Sequence, residues 1–172
     1  MPRDPSRAAA LFGRACGGGQ QAGCAELGLL HAAGEGIARD SARAATLFKG
    51  ACDAKVARGC LGLARYHASG TVVPRSDSTA AALLRVACEA GDATGCLELG
   101  VAREEGRGVP QDYHRAARLY REACEDREGE ACFRLAGLYQ KGAGVYRDSN
   151  EAKALMERSC RAGHQPACPR KS

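Results

Sequence analysis

The sequence predicts an all-α solenoid in which a pair of antiparallel helices recurs every 36 residues. The first observation is that the ten cysteines fall on two ladders with this step. The other two are an apolar pattern of helical period and glycine-rich turns between the helices. The first ladder is Cys16, Cys52, Cys88, Cys124 and Cys160, and the second, eight positions further on, is Cys24, Cys60, Cys96, Cys132 and Cys168.

We expect one repeat array over residues 1–172, with about nine helices, five of one kind and four of the other. Its parts are a half repeat at 1–19, repeats at about 20–55, 56–91, 92–127 and 128–163, and a C-terminal tail at 164–172. The four residues after Cys168 are too few to form another helix. In each repeat, helix A follows a cysteine of the second ladder, and helix B precedes a cysteine of the first.

Helix B begins after a residue that caps helices well, because its side chain accepts hydrogen bonds from the exposed first-turn amides. The predicted caps are Asp4, Asp40, Ser76, Asp112 and Asp148. Pro5 fits the first position of the first helix, where its missing N–H costs nothing. The predicted core face carries Ala8, Ala44, Ala80, Ala116 and Ala152, then Leu11, Leu47, Leu83, Leu119 and Leu155. A larger residue follows each Leu, namely Phe12, Phe48, Leu84, Tyr120 and Met156.

Helix A carries a Leu and then a small residue, which lets the neighbouring helix approach closely. The pairs are Leu27-Gly28, Leu63-Ala64, Leu99-Gly100 and Leu135-Ala136. The turn from A to B holds glycines where a positive φ is expected. These glycines are Gly34 and Gly36, Gly106 and Gly108, and Gly142 and Gly144. The turn after Gly70 reads Thr71-Val72-Val73-Pro74 instead, so we expect it to be the least regular hairpin.

Two disulfide pairings are geometrically reasonable. Bonds eight residues apart require the chain to reverse, because positions i and i+8 of one helix lie about 12 Å apart and a disulfide needs Cα atoms within about 7 Å. Glycines between and beside the cysteines, such as Gly19, Gly23, Gly59, Gly91, Gly95 and Gly163, are expected to supply this reversal. The alternative, of the type Cys24–Cys52, leaves Cys16 and Cys168 unpaired. We therefore predict Cys16–Cys24, Cys52–Cys60, Cys88–Cys96, Cys124–Cys132 and Cys160–Cys168.

Zinc binding and redox catalysis are disfavoured. Structural zinc sites use cysteines two to four residues apart, and redox catalysis uses Cys-x-x-Cys, neither of which occurs here. Ten paired cysteines favour an oxidising compartment. The polar segment Met1 to Pro5 is not a signal peptide. We therefore expect an extracytoplasmic protein, periplasmic or secreted, whose export signal lies in a longer precursor.

The charge pattern gives little support for nucleic-acid binding. The formal net charge is +5, from 25 Lys and Arg against 20 Asp and Glu, without a run of five like charges. No apolar stretch approaches the roughly 18 residues of a membrane span. We expect neither a nucleic-acid partner nor a membrane span, and we expect a monomer.

The repeat unit resembles a known family. Leu99-Gly100, the turn from Gly106 to Asp112 and the segment from Ala116 to Tyr120 resemble Sel1-like repeats, which are related to tetratricopeptide repeats. The paired cysteines resemble the disulfide-rich branch, which includes the Helicobacter cysteine-rich proteins. The resemblance extends from Asp4 to Cys168. It implies a right-handed α/α solenoid with one disulfide per repeat and a concave face, lined by helix A, that holds proteins or peptides.

The same resemblance implies two alternative functions. Some members of the disulfide-rich branch are described as penicillin-binding proteins or weak β-lactamases, and another is an assembly factor for a redox complex. The serine class of β-lactamase needs Ser-x-x-Lys, and no serine here has a lysine three positions later. The sequence also lacks a His-x-x-x-His pair. We therefore predict protein or peptide binding without catalysis, and no catalytic residue, metal or cofactor.

One row of residues is a candidate ligand site. His31, His67, Arg103 and Tyr139 share one repeat position near the end of helix A, where the family usually has Tyr. This row would either line the concave groove, even binding haem or a metal through His31 and His67, or pack between helices A and B. We favour packing. His114 and His164 lie off the row and are expected at the surface.

Overall fold

The computed structural model describes residues 4–168. Within that range the chain forms nine α-helices, one short 3₁₀ helix and no strand. Each α-helix is 13 residues long: α1 (Pro5–Gly17), α2 (Gln21–Ala33), α3 (Ser41–Asp53), α4 (Ala57–Ser69), α5 (Asp77–Glu89), α6 (Ala93–Glu105), α7 (Tyr113–Glu125), α8 (Gly129–Lys141) and α9 (Ser149–Arg161). The 3₁₀ helix is Gln165–Ala167. The expectation for residues 169–172 lies outside the described residues.

The described chain divides into two compact units, residues 4–90 with α1 to α5 and residues 91–168 with α6 to α9. Within each unit, every helix packs against the next one along the chain. In the first unit, α2 also packs against α4. The odd-numbered helices are the predicted B helices and the even-numbered ones the predicted A helices. The predicted all-α array of helical hairpins is therefore confirmed.

The predicted caps of helix B are all present. Each cap side chain accepts a hydrogen bond from at least one backbone N–H of the first turn, at 2.9 Å from Arg43 to Asp40 and 3.2 Å from Thr79 to Ser76, for example. The five caps are Asp4, Asp40, Ser76, Asp112 and Asp148. Since the cap fixes where the helix begins, the five B helices start at equivalent positions in the repeat.

Small residues of helix A let a large side chain of helix B enter the interior. Phe48 is 2% exposed, and a Cβ added at Gly28 or Gly62 would lie within 2.8 Å of its ring. Tyr120 is fully buried, and a Cβ added at Gly100 would lie 2.6 Å from its Cε1. The close approach predicted from the small residues of helix A is therefore confirmed at Gly28 and Gly100.

The leucine row of helix B is less buried than predicted. Leu155 is buried, Leu47, Leu83 and Leu119 are half-buried, and Leu11 is 50% exposed. The expectation that Leu11 is a core residue is wrong. In the described part of the chain α1 packs mainly against α2, so one side of α1 has no neighbouring helix.

The A-to-B turns adopt the expected left-handed glycine conformation. All six predicted glycines have φ between 67° and 76°, and Gly70 has φ 69°. At two of these positions any side chain would also clash with the preceding helix B. A Cβ at Gly36 would lie 2.2 Å from the carbonyl carbon of Pro5, and a Cβ at Gly144 would lie 2.3 Å from that of Tyr113. The turn between α4 and α5 has flanking helices of the usual 13 residues, and it differs in that Val72 has no positive φ.

The B-to-A reversal uses only some of the expected glycines. Gly19, Gly91 and Gly163 have positive φ, but Lys55 and Arg127 fill this position in the other two corners. Gly23, Gly59 and Gly95 lie inside helices, so their predicted part in the reversal is wrong. Two of them allow close helix contact instead, because an added Cβ would lie 2.7 Å from Ala15 Cβ at Gly23 and 2.6 Å from Ala51 Cβ at Gly59.

Disulfides lie at these corners. All ten cysteines are disulfide-bonded, which agrees with the predicted one disulfide per repeat. The bonds Cys16–Cys24, Cys52–Cys60, Cys124–Cys132 and Cys160–Cys168 join Cα atoms 4.6, 4.5, 4.8 and 4.8 Å apart. Such short distances leave no room for large side chains between the helices. The neighbouring alanines and glycines are therefore needed for the close approach at these corners.

A first prediction concerns the glycine beneath Tyr120. Gly100→Ala should lower the free energy of unfolding by about 1–2 kcal/mol, because overpacking against a fully buried ring outweighs the better helix propensity of Ala. The matched control is Gly137→Ala in α8, where nothing lies within 4 Å of the added Cβ and a gain of about 0.5–1 kcal/mol is expected. Urea unfolding of both variants tests this, and a stabilised Gly100→Ala protein would contradict it.

A second prediction concerns the two corners without glycine. Lys55→Gly and Arg127→Gly should each raise the free energy of unfolding by up to about 1 kcal/mol, because glycine removes the penalty of a positive φ but is more flexible when unfolded. Ala54→Gly is the control, since Ala54 has φ −86° and should lose stability. Thermal unfolding of the three variants provides the measurement, and equal losses in all three would refute the prediction.

A third prediction concerns the cap of α7. The hydrogen bond from the Arg115 amide to Asp112, 2.9 Å long, is the main cause that lowers the pKa of Asp112. The folded state therefore binds this proton less readily than the unfolded state. The stabilisation is complete above the unfolded pKa of about 4 and is lost as pH falls through the lower folded pKa.

The measurement is the difference in melting temperature between the wild type and Asp112→Asn, from about pH 6 to about pH 3. This difference should shrink toward low pH. Ser76→Ala removes a cap that does not titrate, so its difference from the wild type should stay constant over the same range. A constant difference for Asp112→Asn would show that its carboxylate does not stabilise the folded state.

Candidate functional site

The predicted candidate row lies in the last turn of each helix A. His67 Nδ1 is 3.2 Å from the carbonyl oxygen of Pro74, and Arg103 Nη1 donates to the carbonyl oxygen of Pro110 at 3.3 Å. Both side chains thus bind the turn that follows their own helix. In these two repeats the row contacts the A-to-B turn.

The other two members of the row behave differently. The Nδ1 atom of His31 is buried without a hydrogen-bond partner. Tyr139 accepts a hydrogen bond from Arg121 Nη2 at 2.9 Å, across the α7–α8 pair. Within the described residues, His31 and His67 belong to no group of potential metal ligands. Tyr139 lines a cleft.

This cleft, which we call the α7–α8 cleft, has a volume of about 750 Å³ and lies in the second unit. Helix α7, the end of α8 and the following turn form its walls. Its lining residues are His114, Ala117, Arg118, Arg121, Tyr139, Gly142, Gly144, Val145 and Tyr146. The volume falls within the usual range for ligand pockets, although the cleft is open to solvent.

Backbone constraints fix the turn that forms one wall. Gly144 has φ 67° and lies directly against the backbone of Tyr113 at the start of α7. His114 Nδ1 is 2.8 Å from the carbonyl oxygen of Gly144. The amide of Asp148 donates to the carbonyl oxygen of Tyr139 at 3.1 Å. The turn is therefore attached to both helices, and the cleft between them is preformed.

The cleft exposes cationic and aromatic groups. Arg118 and Arg121 are exposed, and among the described residues neither guanidinium has a carboxylate within 4.0 Å. Tyr146 is 96% exposed. Tyr and Arg are the residues most enriched at protein-binding hot spots. The lining thus offers hydrogen-bond donors, positive charge and aromatic surface, and it contains no carboxylate or cysteine.

A second, smaller cleft of about 360 Å³ lies between α6, α8 and α9. Here Arg134, Glu104 and Glu130 are paired within the protein. Arg134 lies 2.9 Å from Glu130 and 3.5 Å from Glu104, and Glu104 accepts from the Tyr120 hydroxyl at 2.5 Å. Burial, together with this hydrogen bond, raises the pKa of Tyr120. In the second cleft, Arg134, Glu104, Glu130 and Tyr120 therefore form an internal structural network.

The two remaining histidines have different surroundings. His114 is exposed, as expected, and lines the α7–α8 cleft. His164 is half-buried, and its ring lies 5.1 Å from that of Phe133 in the smaller cleft. His164 is thus less exposed than expected, because its ring packs beside Phe133 of α8.

Sequence reasoning missed most of the α7–α8 cleft. It named Tyr139 but not Arg118, Arg121 or Tyr146. One usable signal was Tyr146, which occupies a turn position held by Pro74 and Pro110 in two other repeats. The position of the arginines on the exposed side of helix B gave no such signal, because solvent-exposed arginines occur throughout the chain.

Helical hairpins of fixed length that recur along the chain and are joined by short turns define an α/α repeat protein. The chain belongs to the Sel1 repeat family. The family pattern matches residues 1–19, 21–56, 57–92, 93–126 and 129–164. These segments begin and end close to the B-to-A corners, so the family repeat has the same period as the hairpins described above.

Solved structures support the same fold. A protective antigen present in uropathogenic Escherichia coli strains, which displays an SLR fold, is 24% identical with a TM-score of 0.86 over 97% of this chain and 36% of its own. A Sel1 repeat protein from Oxalobacter formigenes is 25% identical with a TM-score of 0.85 over 94% of this chain and 64% of its own. Cysteine rich protein B of Helicobacter pylori is 28% identical with a TM-score of 0.60 over 76% of this chain and 93% of its own.

The family pattern establishes the family, and the solved structures support the fold. The chain spans 36% and 64% of the length of the first two. No match to a curated protein sequence reaches significance. None of the described helices is long and apolar enough to cross a bilayer.

Proposed function

We propose that this chain is a protein- or peptide-binding repeat scaffold that works in an oxidising compartment outside the cytoplasm. The observation that carries the proposal is the α7–α8 cleft, where Arg118, Arg121 and Tyr146 are exposed on preformed walls. Repeat families commonly bind partners on extended surfaces of this kind. The concave face lined by helix A remains a prediction. The cleft proposed here includes Tyr139 of α8, which is one of the A helices.

The chemistry of the lining supports binding rather than catalysis. Exposed arginine and tyrosine side chains gain binding energy when a partner covers them. Acyl transfer would need a nucleophile beside a base. Among the described residues the one buried serine is Ser159, and its hydroxyl donates to the carbonyl oxygen of Gly129 at 2.6 Å, as a structural contact would. The β-lactamase-like alternative and the redox-assembly alternative have no comparable support.

Disulfide bonding of all ten cysteines supports the oxidising compartment. Structural disulfides persist in secreted and periplasmic proteins and are rare in reducing cytosol. The similarity to a Helicobacter pylori protein named for its cysteines points the same way. A mass-spectrometric thiol count on protein purified from its native cell without reduction should find no free cysteine, and ten free thiols would exclude this part of the proposal.

Site-specific crosslinking tests the binding proposal. We expect benzoylphenylalanine in place of Tyr146 to capture a defined protein in the native cell, because this side chain is 96% exposed at the cleft mouth. The same photo-reactive residue in place of Lys153, an exposed position on α9 outside both clefts, is the matched control and should not capture it. The captured protein is then purified and its affinity for the wild-type chain measured directly.

Two results would contradict the proposal. Equal capture from Tyr146 and Lys153 would show that the cleft has no selectivity, and absence of capture from Tyr146 would show that it has no partner under native conditions. Nitrocefin hydrolysis by the purified protein, abolished by a substitution in either cleft, would favour the hydrolase alternative instead.

A further inference from the structure

We propose that the α7–α8 cleft binds an extended acidic peptide whose two carboxylates, two residues apart, pair with Arg118 and Arg121. This inference rests on the proposed binding function and names the partner chemistry of the same site. It depends on three features of the cleft: uncompensated charge, the spacing of the two guanidiniums, and the way that Tyr139 and Tyr146 frame them.

The charge in the cleft is uncompensated, unlike that of the arginines nearby. Arg115, also on α7, is 3.2 Å from Asp112, and Arg134 on α8 is 2.9 Å from Glu130. Arg118 and Arg121 have no such partner among the described residues, and no acidic side chain lines the cleft. A ligand carboxylate there would gain charge-assisted hydrogen bonds without displacing an internal ion pair.

The orientation of Arg121 is notable because an internal alternative exists. Glu125 lies four residues further along α7, at the spacing that favours an ion pair on a helix. Arg121 instead donates to Tyr139 across the hairpin at 2.9 Å. A guanidinium has five N–H donors. The bond to the tyrosine fixes the position of Arg121 while leaving other donors available to a ligand.

Equivalent positions in the first unit lack this arrangement. In α5 and α3 the residues equivalent to Arg121 are Arg85 and Lys49, and each pairs with an acid four residues on, at 3.0 Å with Glu89 and 2.8 Å with Asp53. In the same two helices the residues equivalent to Arg118 are Ala82 and Thr46. The repeats share a backbone pattern, so the free cationic pair is a property of this hairpin and is not required by the fold.

The spacing of the arginines matches an extended peptide. Residues three apart on a helix have Cβ atoms about 5–6 Å apart. In an extended chain, residues i and i+2 point to the same side and lie about 6.6 Å apart. A Glu-x-Glu or Asp-x-Asp segment would therefore place one carboxylate near each guanidinium. The exposed ring of Tyr146 offers an apolar surface for the residues on either side.

Fluorescence anisotropy with labelled peptides tests this inference on the complete, oxidised chain. The panel holds peptides with two glutamates at spacings of one, two and three residues and random flanking residues, and the same panel with glutamine. We expect the two-residue spacing to bind best, at least about tenfold tighter than its glutamine counterpart, and to weaken with added salt.

Variants of the arginines locate the site. Arg118→Gln/Arg121→Gln should weaken binding of the best peptide by about tenfold or more, because both charge-assisted contacts are lost. Arg115→Gln, on the same helix outside the cleft, and Arg85→Gln, in the first unit, should leave it unchanged. All four arginines are exposed, and the melting temperature of each variant confirms that it is folded.

The outcomes separate this inference from the proposed function. A protein captured at Tyr146 that binds the double variant as tightly as the wild type would overturn the acidic-peptide inference and leave the binding function intact. Equal affinity for glutamate and glutamine peptides would also overturn it. Competition by a single-stranded DNA oligonucleotide at the same concentration as the peptide would show a general anion site instead.

Discussion

Close contact at the corner between helix B and the following helix A is the constraint on which the rest of the molecule depends. In the α1–α2 and α3–α4 corners, a disulfide joins Cα atoms 4.6 and 4.5 Å apart. Helices this close tolerate only small neighbours, which explains Gly23 against Ala15 and Gly59 against Ala51. Once this corner is fixed, the angle between the two helices is fixed too. The helices diverge away from the corner, and larger side chains fill the space between them.

That diverging space explains the large residue at one position of helix B. Phe48 and Tyr120 enter it above glycines of helix A, where alanine would not fit. Tyr120 adds a polar requirement, since a buried hydroxyl needs a partner. Glu104 accepts from it and is in turn near Arg134. The smaller cleft is thus the outer edge of a network that begins in the core.

Much of this architecture could be predicted from residue spacing. The caps Asp40 and Asp112, the turn glycines and the nine helices follow from local chemistry that repeats every 36 residues. Local chemistry does not indicate how many neighbours a helix has, so Leu11 was wrongly assigned to the core. It also does not distinguish a glycine needed for φ from one needed for space, which is why Gly23 and Gly59 were misassigned.

The candidate site was harder to predict for a related reason. Its groups come from α7, α8 and the turn that follows, and their meeting depends on how the hairpins stack. Tyr139 could be named because its repeat position was conspicuous, whereas Arg121 became significant only through its bond to Tyr139. A surface of this kind is formed by residues that differ from those at equivalent positions in other repeats. The repeat pattern alone does not show which of these residues lie next to each other in the folded chain.

The short separation of the bonded cysteines has a consequence for how the chain acquires its bonds. In four hairpins the partners are eight residues apart, and each cysteine is nearer in sequence to its partner than to the other cysteines. If the cysteines are oxidised in the order in which they leave the ribosome or a translocation channel, each one therefore meets its native partner first. The native pairs then form without reshuffling of wrong bonds. Each bond also secures a single hairpin, so accidental reduction of one would loosen that corner and leave the other joints closed.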